Sequence, residues 1–268
     1  MAIKTKATNM IQLNKIINRA HAFTLNTGKL CCLLCKIVIR SNFTKKKTNL
    51  IIDQIYLIGN NSVLIISISG LFVGFVLGLQ GYLMLSKFRA EDTLGLMVTV
   101  SLTRELGPVV TALLFAGRAG TSMTAEIGLM KSGEQILAME IMAIDPIERL
   151  LIPRFWAGIL SMPVLAVIFS TAGIIGSWFV GVMVVGIDSG LFWSQIQCGF
   201  DIYSDIIYGT IFKSLIFGLS TVAISLNEGW QCKPTPDGIS KAITRTVVIG
   251  SLLVFLLDFF MTSILFVN

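Results

Sequence analysis

Charge is scarce in this sequence. Only 13% of the 268 residues are charged and 54% are hydrophobic, whereas soluble domains carry roughly 25% charged residues. Apolar runs long enough to cross a bilayer as helices recur along the chain. The composition therefore excludes an ordinary soluble domain and predicts an all-α polytopic membrane protein with about five transmembrane helices.

Acidic residues are missing from the first 50 positions, which hold 10 of the 21 basic residues. We interpret residues 1–49 as a basic N-terminal lead and residues 50–268 as one membrane domain. Such a lead suits anionic lipid, and without a nucleic-acid-binding motif we predict no nucleic-acid partner. Between Lys29 and Arg40 the spacing predicts an interfacial amphipathic helix too short to cross. Its apolar stripe consists of Leu30, Leu33, Leu34, Ile37 and Val38.

Signatures of catalysis are also missing. No G-x-x-x-x-G-K-[ST] motif is present, so the chain does not bind nucleotide phosphates in that way. The single histidine, His21, lies outside the apolar runs, and Asp258 has no clear second aspartate for a protease pair. Cys32 and Cys35 form a C-x-x-C, but a zinc site needs four ligands. We predict that the chain is not an enzyme and carries no metal or cofactor of its own.

Five apolar segments are predicted to span the membrane, at about residues 62–85, 106–130, 150–185, 206–226 and 246–266. Gly107-Pro108 fits the start of span two, because proline is tolerated in a first helical turn. Span three is long for a single crossing. Pro153, Pro163 and the glycines at 173 and 176 are expected to bend or divide it.

Small residues recur every four positions on the first two spans. In span one they are Gly70, Gly74 and Gly78, followed by Gly81, and these glycines predict a kinked or re-entrant segment. In span two they are Ala112, Ala116, Gly120, Thr124 and Gly128. Bare helix faces of this kind let another helix approach closely in a membrane. The two stripes predict that spans one and two pack against each other or against a second copy.

A short amphipathic segment, residues 131–148, separates spans two and three. Its apolar side is supplied by Ile136, Met139, Ile141 and Met142, and its exposed polar side by Glu134, Gln135, Glu140 and Asp145. Asp145-Pro146 closes it, because proline disfavours helical geometry in the preceding residue. A helix between two spans lies where a soluble partner could act on a membrane protein.

Ionisable residues inside the predicted spans need partners. Arg118 and Glu126 lie in span two, eight residues apart, and Asp258 lies in span five. A charge near mid-membrane costs about 2.5–3.5 kcal/mol on insertion scales, so each should find a partner or water. Structural ion pairing and a role in transport are both open for Arg118 and Glu126.

Basic residues are divided unequally between the two sides of the five spans. With the N-terminus on the cytoplasm-equivalent side, that side holds sixteen of them and the opposite side three. The positive-inside rule therefore predicts an internal N-terminus and places the segment 131–148 on the side where ATP is found.

Several motifs together resemble the permease subunits of lipid-transporting ABC systems, of the MlaE and trigalactosyldiacylglycerol-1 type. The resemblance covers about residues 50–266 and includes the Ser69–Gly74 and Leu79–Gly81 segments of span one. The other matching pieces are Arg104–Pro108, Ala116–Arg118, Ala125-Glu126, Glu134-Gln135, Ile144–Pro146 and Pro153-Arg154. Ala143 departs from the family, in which many members have glycine at this position.

The resemblance implies a symmetric homodimer with a lipid-binding cavity between the copies. It implies that Arg104 and Glu105 contact lipid head groups or gate the cavity, which Leu79, Gln80 and Tyr82 would also line. A separate ABC ATPase, which binds ATP and magnesium, would dock on a coupling helix formed by Glu134, Gln135, Glu140, Asp145 and Pro146. A substrate-binding protein with an MCE domain would lie on the opposite side.

Two other functions fit the composition. One is a secondary transporter without an ATPase, for which Glu126 and Asp258 are candidate carboxylates. The other is a membrane scaffold that transports nothing. The abundance of Lys, Asn and Ile and the basic lead suit a permease of the red-algal plastid type. They predict a plastid inner envelope, with a cyanobacterial plasma membrane as the alternative.

Overall fold

The computed structural model describes Gly28, residues 30–40 and residues 45–266. No strand occurs among these residues, and five of their helices are long and apolar enough to cross a membrane. The all-α polytopic class with five spans is therefore confirmed. The helices are α1 Leu30–Ile39, α2 Lys45–Leu85, α3 Glu91–Ser132, α4 Gln135–Ile141, α5 Ile147–Val184, α6 Ser189–Gly199, α7 Tyr203–Gln231 and α8 Pro236–Phe266.

The chain divides after Asn42 into a small unit and a large one, Phe43–Asn268. Helix α1 belongs to the small unit and confirms a short helix in the lead, while its interfacial position stays a prediction. Residues 1–27 of the lead lie outside the described residues. The five spans α2, α3, α5, α7 and α8 belong to the large unit.

Span two begins well before the predicted start near residue 106. Leu94, Gly95, Val98 and Thr99 are buried in the first turns of α3, and the charged residues of the connection all come before them. Gly107-Pro108 is therefore internal to the helix rather than its start. A π-helical turn, Leu102–Leu106, comes directly before it. The helix thus continues through a proline, which has no backbone N–H to donate.

The other spans depart less from the predictions. Helix α5 runs as an unbroken α-helix from Ile152 to Trp178 with Pro163 inside it, so span three is not divided, while a bend in it stays a prediction. Helix α2 continues through all five of its glycines, which excludes a re-entrant segment because chain reversal would interrupt the helix. A kink in α2 stays a prediction. Only residues 232–235 separate α7 from α8.

The glycine stripe of α2 packs against α5, not against span two. A methyl group on Gly70 would lie 2.6 Å from the carbonyl oxygen of Phe169, and one on Gly74 would overlap the backbone of Gly173. Gly176 makes the reciprocal approach to Leu71. The two helices therefore touch backbone to backbone, since side chains would hold them apart.

The small-residue stripe of α3 packs against α7 and α8 of the same chain. The Thr124 hydroxyl lies 3.0 Å from the carbonyl oxygen of Ser225 and 2.9 Å from the hydroxyl of Thr246. A methyl group on Gly120 would lie 2.8 Å from the Ser225 Oγ. The prediction that the stripes of spans one and two face each other is therefore wrong, because each already has a partner helix elsewhere in the chain.

We expect Gly74→Ala to destabilise the protein, because the added methyl group meets backbone that has no rotamer to change. The expected cost is about 1–3 kcal/mol, as for overpacking elsewhere. Gly117→Ala is the matched control, since a methyl group there meets no atom within 4 Å. Thermal unfolding in detergent should show a lower midpoint for the first variant only. Equal midpoints would contradict the close contact between α2 and α5.

Candidate functional site

A buried lysine lies at the centre of a polar cluster in the half of the bundle farther from α4. Lys213, in α7, is fully buried. Its Nζ donates to the main-chain oxygen of Arg104 at 2.9 Å and to the Thr262 hydroxyl at 2.7 Å. Two carboxylates face the same nitrogen, Glu105 at 3.0 Å and Asp258 at 3.4 Å. The ammonium group is thus surrounded by acceptors from α3 and α8.

A second ion pair adjoins the first. Arg104 Nε donates to Asp205 Oδ1, and Asp205 is fully buried. The other Asp205 oxygen accepts from the backbone N–H of Asp201 at 3.0 Å. Thr262 donates to Glu105 at 3.0 Å. We call Arg104, Glu105, Asp205, Lys213, Asp258 and Thr262 the Lys213 cluster.

The π-helical turn Leu102–Leu106 sets the directions of Arg104 and Glu105. Consecutive residues on a helix point to different faces, about 100° apart in an α-helix and less in a π-helical turn. Arg104 therefore faces Asp205 while Glu105 faces Lys213 and Thr262. Gly209 allows the close approach of α7, because a methyl group there would lie 3.2 Å from the Arg104 Cα. The sequence around this turn thus joins three spans through side chains from only two adjacent positions of α3.

The cluster is buried on one side and accessible on the other. Lys213 and Asp205 have no exposed side-chain surface, whereas Arg104 is 34% and Glu105 38% exposed. Asp258 is 23% exposed. With every group ionised, two cations meet three carboxylates. Lys213 and Asp205, which are fully buried, hold the more exposed residues in place. Arg104 and Glu105 can contact a polar group from outside the chain.

The sequence predicted three of the six residues of the Lys213 cluster. Arg104, Glu105 and Asp258 were predicted, while Asp205, Lys213 and Thr262 were missed. A signal for Lys213 was present, since a lone lysine in span four and a lone aspartate in span five each need a partner. Nothing in the spacing could show that the two helices bring them together.

The predicted cavity residues of span one lie elsewhere. Leu79 and Gln80 are exposed and Tyr82 is half-buried. Gly81, between them, packs on Leu94, which comes ten residues before Arg104, or about 15 Å along the helix. Leu79, Gln80 and Tyr82 therefore lie nearer the start of α3 than Arg104 and Glu105 do. Their shared role stays a prediction.

Arg118 and Glu126 do not pair with each other. Arg118 Nη1 donates across to α2, at 3.2 Å to the carbonyl oxygen of Ile58 and at 2.9 Å to the Ser62 hydroxyl. Glu126 forms an ion pair with Arg154 of α5 at 2.9 Å. Each span-two charge therefore has a partner on another helix, as its cost in a membrane requires.

Helix α4 projects between α3 and α5 and exposes most of its surface. Ile136 is its only buried residue. Four apolar side chains of this segment are exposed: Leu137 by 51%, Ile141 by 78%, Met142 by 62% and Ile144 by 41%. Glu134, Gln135 and Glu140 are exposed as well. Much of the apolar side is thus open rather than packed against the bundle.

Asp145 and Pro146 differ in position from the rest of residues 131–148, which we call the bridge between α3 and α5. Asp145 is only half-exposed, and its Oδ1 accepts from the backbone N–H of Ile147 at 3.0 Å. Pro146 is buried. The prediction that Asp145 is exposed is therefore wrong, because its side chain holds the first turn of α5. The two residues fix where the bridge ends.

Comparison with known proteins assigns the chain to a family. The family model described as Permease MlaE matches residues 51–264. The chain belongs to the MlaE permease family. It is 52% identical over 234 residues, 87% of each chain, to the intermembrane phospholipid transport system permease protein MlaE of Haemophilus influenzae.

Two more distant relatives are named as probable ABC transporter permeases. The chain is 31% identical over 234 residues to the probable ABC transporter permease protein ycf63 of Pyropia yezoensis, covering 87% of this chain and 88% of that one. It is 30% identical over 229 residues, 85% of each chain, to the probable ABC transporter permease protein slr1045 of Synechocystis. These matches confirm the resemblance found in the motifs.

We expect Lys213→Met to destabilise this MlaE-family chain, because it leaves Glu105 and Asp258 facing each other without a cation. Removing one member of a buried ion pair costs about 3–5 kcal/mol. The double variant Lys213→Met/Asp258→Leu should recover part of that loss. Lys241→Met, at an exposed position of α8, is the control. If the thermal midpoints of Lys213→Met and the control agree, the cluster does not hold the spans together.

The departure at Ala143 can be tested in the same way. Ala143 has φ 57°, in the left-handed region, which costs a residue with a Cβ roughly 1–2 kcal/mol. We expect Ala143→Gly to stabilise the protein slightly. Ala138→Gly, in α4, should instead destabilise it by about 0.5–1 kcal/mol, because glycine is unfavourable inside a helix. The same sign for both variants in thermal unfolding would rule out this account.

Proposed function

We propose that this chain is the membrane-spanning permease subunit of an ABC transporter that moves phospholipid between or across envelope membranes. The observation that carries the proposal is the exposed apolar surface of α4. Exposed apolar side chains on one short helix outside the spans mark a site of protein interaction. The name of the Haemophilus relative, a phospholipid transport permease, supports the substrate class.

The energy would come from a separate ATPase, because the chain has no phosphate-binding loop. We propose that this subunit docks on Leu137, Ile141 and Met142, with the acidic and amide groups of Glu134, Gln135 and Glu140 at the rim. Asp145 and Pro146 would hold the docking helix at its angle to α5. ATP and magnesium would thus bind the partner and not this chain.

Helix α3 supports a route from the ATPase to the lipid. It runs without a break from the bridge to the Lys213 cluster, and Arg104 lies 28 residues before Ser132, about 42 Å along the axis. Movement of α4 on ATP binding would be transmitted along this helix. It would change the exposure of Arg104 and Glu105, which we propose contact the lipid head group.

A second copy and an external partner complete the proposed assembly. Helix α8 is the least covered span, with only 11% of its apolar window buried, and exposes Leu252, Phe255 and Phe259. This face supports a homodimer with the lipid cavity, lined by Leu79, Gln80 and Tyr82, between the copies. At the end opposite α4, α6 exposes Leu191 and Trp193, a surface suited to the MCE-domain protein.

The chain is a multi-pass membrane protein, and its compartment is part of the proposal. The plastid inner envelope and a bacterial plasma membrane are the two candidates. Identity to the Haemophilus protein, 52%, exceeds the 31% to the Pyropia protein. This difference supports the bacterial membrane over the plastid one that residue usage suggested.

The two alternative functions have less support. A secondary transporter would need carboxylates that bind and release a proton or ion. Its candidates are instead held in ion pairs, Glu126 with Arg154 and Asp258 with Lys213. The relatives are named as transport permeases, which weighs against a scaffold that transports nothing. The ion pairs and the names of the relatives therefore favour an ATP-driven permease.

Replacing Glu134, Gln135 and Glu140 together by alanine should uncouple ATP hydrolysis from transport. The three side chains are exposed, so the fold and the dimer should survive. We expect phospholipid transfer by the purified complex in proteoliposomes to fall at least about tenfold, since 1.4 kcal/mol of lost coupling is a factor of ten.

The matched control is Glu91→Ala/Asp92→Ala, at the other end of α3. It should transfer lipid at the normal rate. Normal transfer by the triple alanine variant would contradict the docking of an ATPase on α4. Purification in mild detergent without any co-eluting ATPase would contradict the ABC assignment itself.

A further inference from the structure

A polar cavity lies between α2 and α3, away from the Lys213 cluster. It has a volume of about 90 Å³. Its polar lining consists of Gln54, Asn61, Arg118, Ser122 and Glu126. Arg118 lies 14 residues before the end of α3 at Ser132, about 21 Å along the axis. The cavity therefore belongs to the half of the bundle that α4 adjoins.

Several N–H donors of Arg118 at this cavity are not used in hydrogen bonds to the described residues. A guanidinium group carries five N–H donors, and the two contacts with Ile58 and Ser62 both use Nη1. Among the residues that the structure describes, Nε and Nη2 have no protein acceptor. Three N–H donors of a cation are thus available within a membrane-spanning segment.

The local charge favours an anion. Glu126 also lines the cavity, but Arg154, which is only 6% exposed, lies 2.9 Å from it and offsets its charge. No carboxylate in the described part of the chain forms an ion pair with Arg118. Arg118, Glu126 and Arg154 taken together therefore leave one positive charge in excess. Around it, the amide groups of Asn61 and Gln54 supply neutral donors, while the Ser122 hydroxyl donates to Glu126 at 3.2 Å.

We propose that this cavity binds the phosphate of a phospholipid head group through Arg118. A cation inside a membrane span needs an anionic partner, and a planar guanidinium suits phosphate because two N–H groups can bond it side by side. Among anions, the bilayer itself supplies phospholipid phosphate. The inference deepens the proposed function: the cavity would be a lipid site on the ATPase side, in addition to the one at the Lys213 cluster.

Photo-crosslinking tests this site in the full chain. A benzoylphenylalanine at Leu57, which lines the cavity, is irradiated in nanodiscs of phosphatidylethanolamine and phosphatidylglycerol, and lipid adducts are weighed by mass spectrometry. The same residue at Leu64, which is exposed on α2 but outside the lining, is the control. Arg118→Gln should lower the phospholipid adduct at 57 by about fivefold or more and leave that at 64 unchanged. Arg118→Lys should keep most of it.

Two further variants separate binding from folding, since Arg118 also joins α2 to α3. Gln54→Leu and Asn61→Leu leave those contacts in place and should also lower the adduct at position 57. An adduct that is unchanged in Arg118→Gln, Gln54→Leu and Asn61→Leu would overturn the proposal, because crosslinking would then report contact with the acyl chains and not with the phosphate.

The source of the phosphate is tested with inorganic phosphate in lipid-free detergent. If free phosphate binds in an Arg118-dependent manner while the phospholipid adduct is insensitive to Arg118, a lipid site is excluded. Lipid transfer by the wild-type complex separates this inference from the proposed function. If the complex transfers lipid but the adduct does not depend on Arg118, only the proposed cavity site is wrong. If the adduct depends on Arg118 but the complex transfers no lipid, the cavity site is supported and the proposed transport function is wrong.

Discussion

The ammonium group of Lys213 constrains this fold more than any other group. Fully buried in a membrane span, it must be surrounded by acceptors, since an unpartnered charge there costs about 2.5–3.5 kcal/mol even on the most lenient scales. Its acceptors come from Arg104 and Glu105 on α3 and from Asp258 and Thr262 on α8. Lys213 therefore fixes α3, α7 and α8 relative to one another, because the surrounding lipid offers its ammonium group no other partner.

A different interaction holds the other two spans together. Helices α2 and α5 meet through glycine, where van der Waals contact between backbones replaces the hydrophobic drive that lipid removes. Helix α3 is joined to α7 at the Lys213 cluster, through Arg104 and Glu105. It is joined to α7 again near its last turn, where Lys131 Nζ donates to the carbonyl oxygens of Trp230 and Cys232 at 2.8 and 2.9 Å. Because α3 is fixed to α7 at these two points, it can transmit a displacement between them instead of absorbing it.

The sequence predicted the class, the number of spans and the bridge, because apolar length and amphipathic spacing are local properties. It failed where the outcome depended on another helix. Gly107-Pro108 looked like a helix start, but a π-helical turn lets α3 continue through it. The glycines of α2 predicted a close helix contact but not the partner helix, because a glycine face can pack against any other helix that presents small residues. Lys213 was visible as an isolated charge, yet only the packing of α7 between α3 and α8 shows which groups compensate it.

The difference in exposure within the Lys213 cluster bears on its role. Ion pairs that serve only to join helices can be buried completely, as Asp205 and Lys213 are. Arg104 and Glu105 instead keep about a third of their side chains exposed, at 34% and 38%. Exposed charges in a membrane span add cost without adding strength to the helix contacts. This exposure supports the proposal that Arg104 and Glu105 contact a polar group outside the chain, such as a lipid head group.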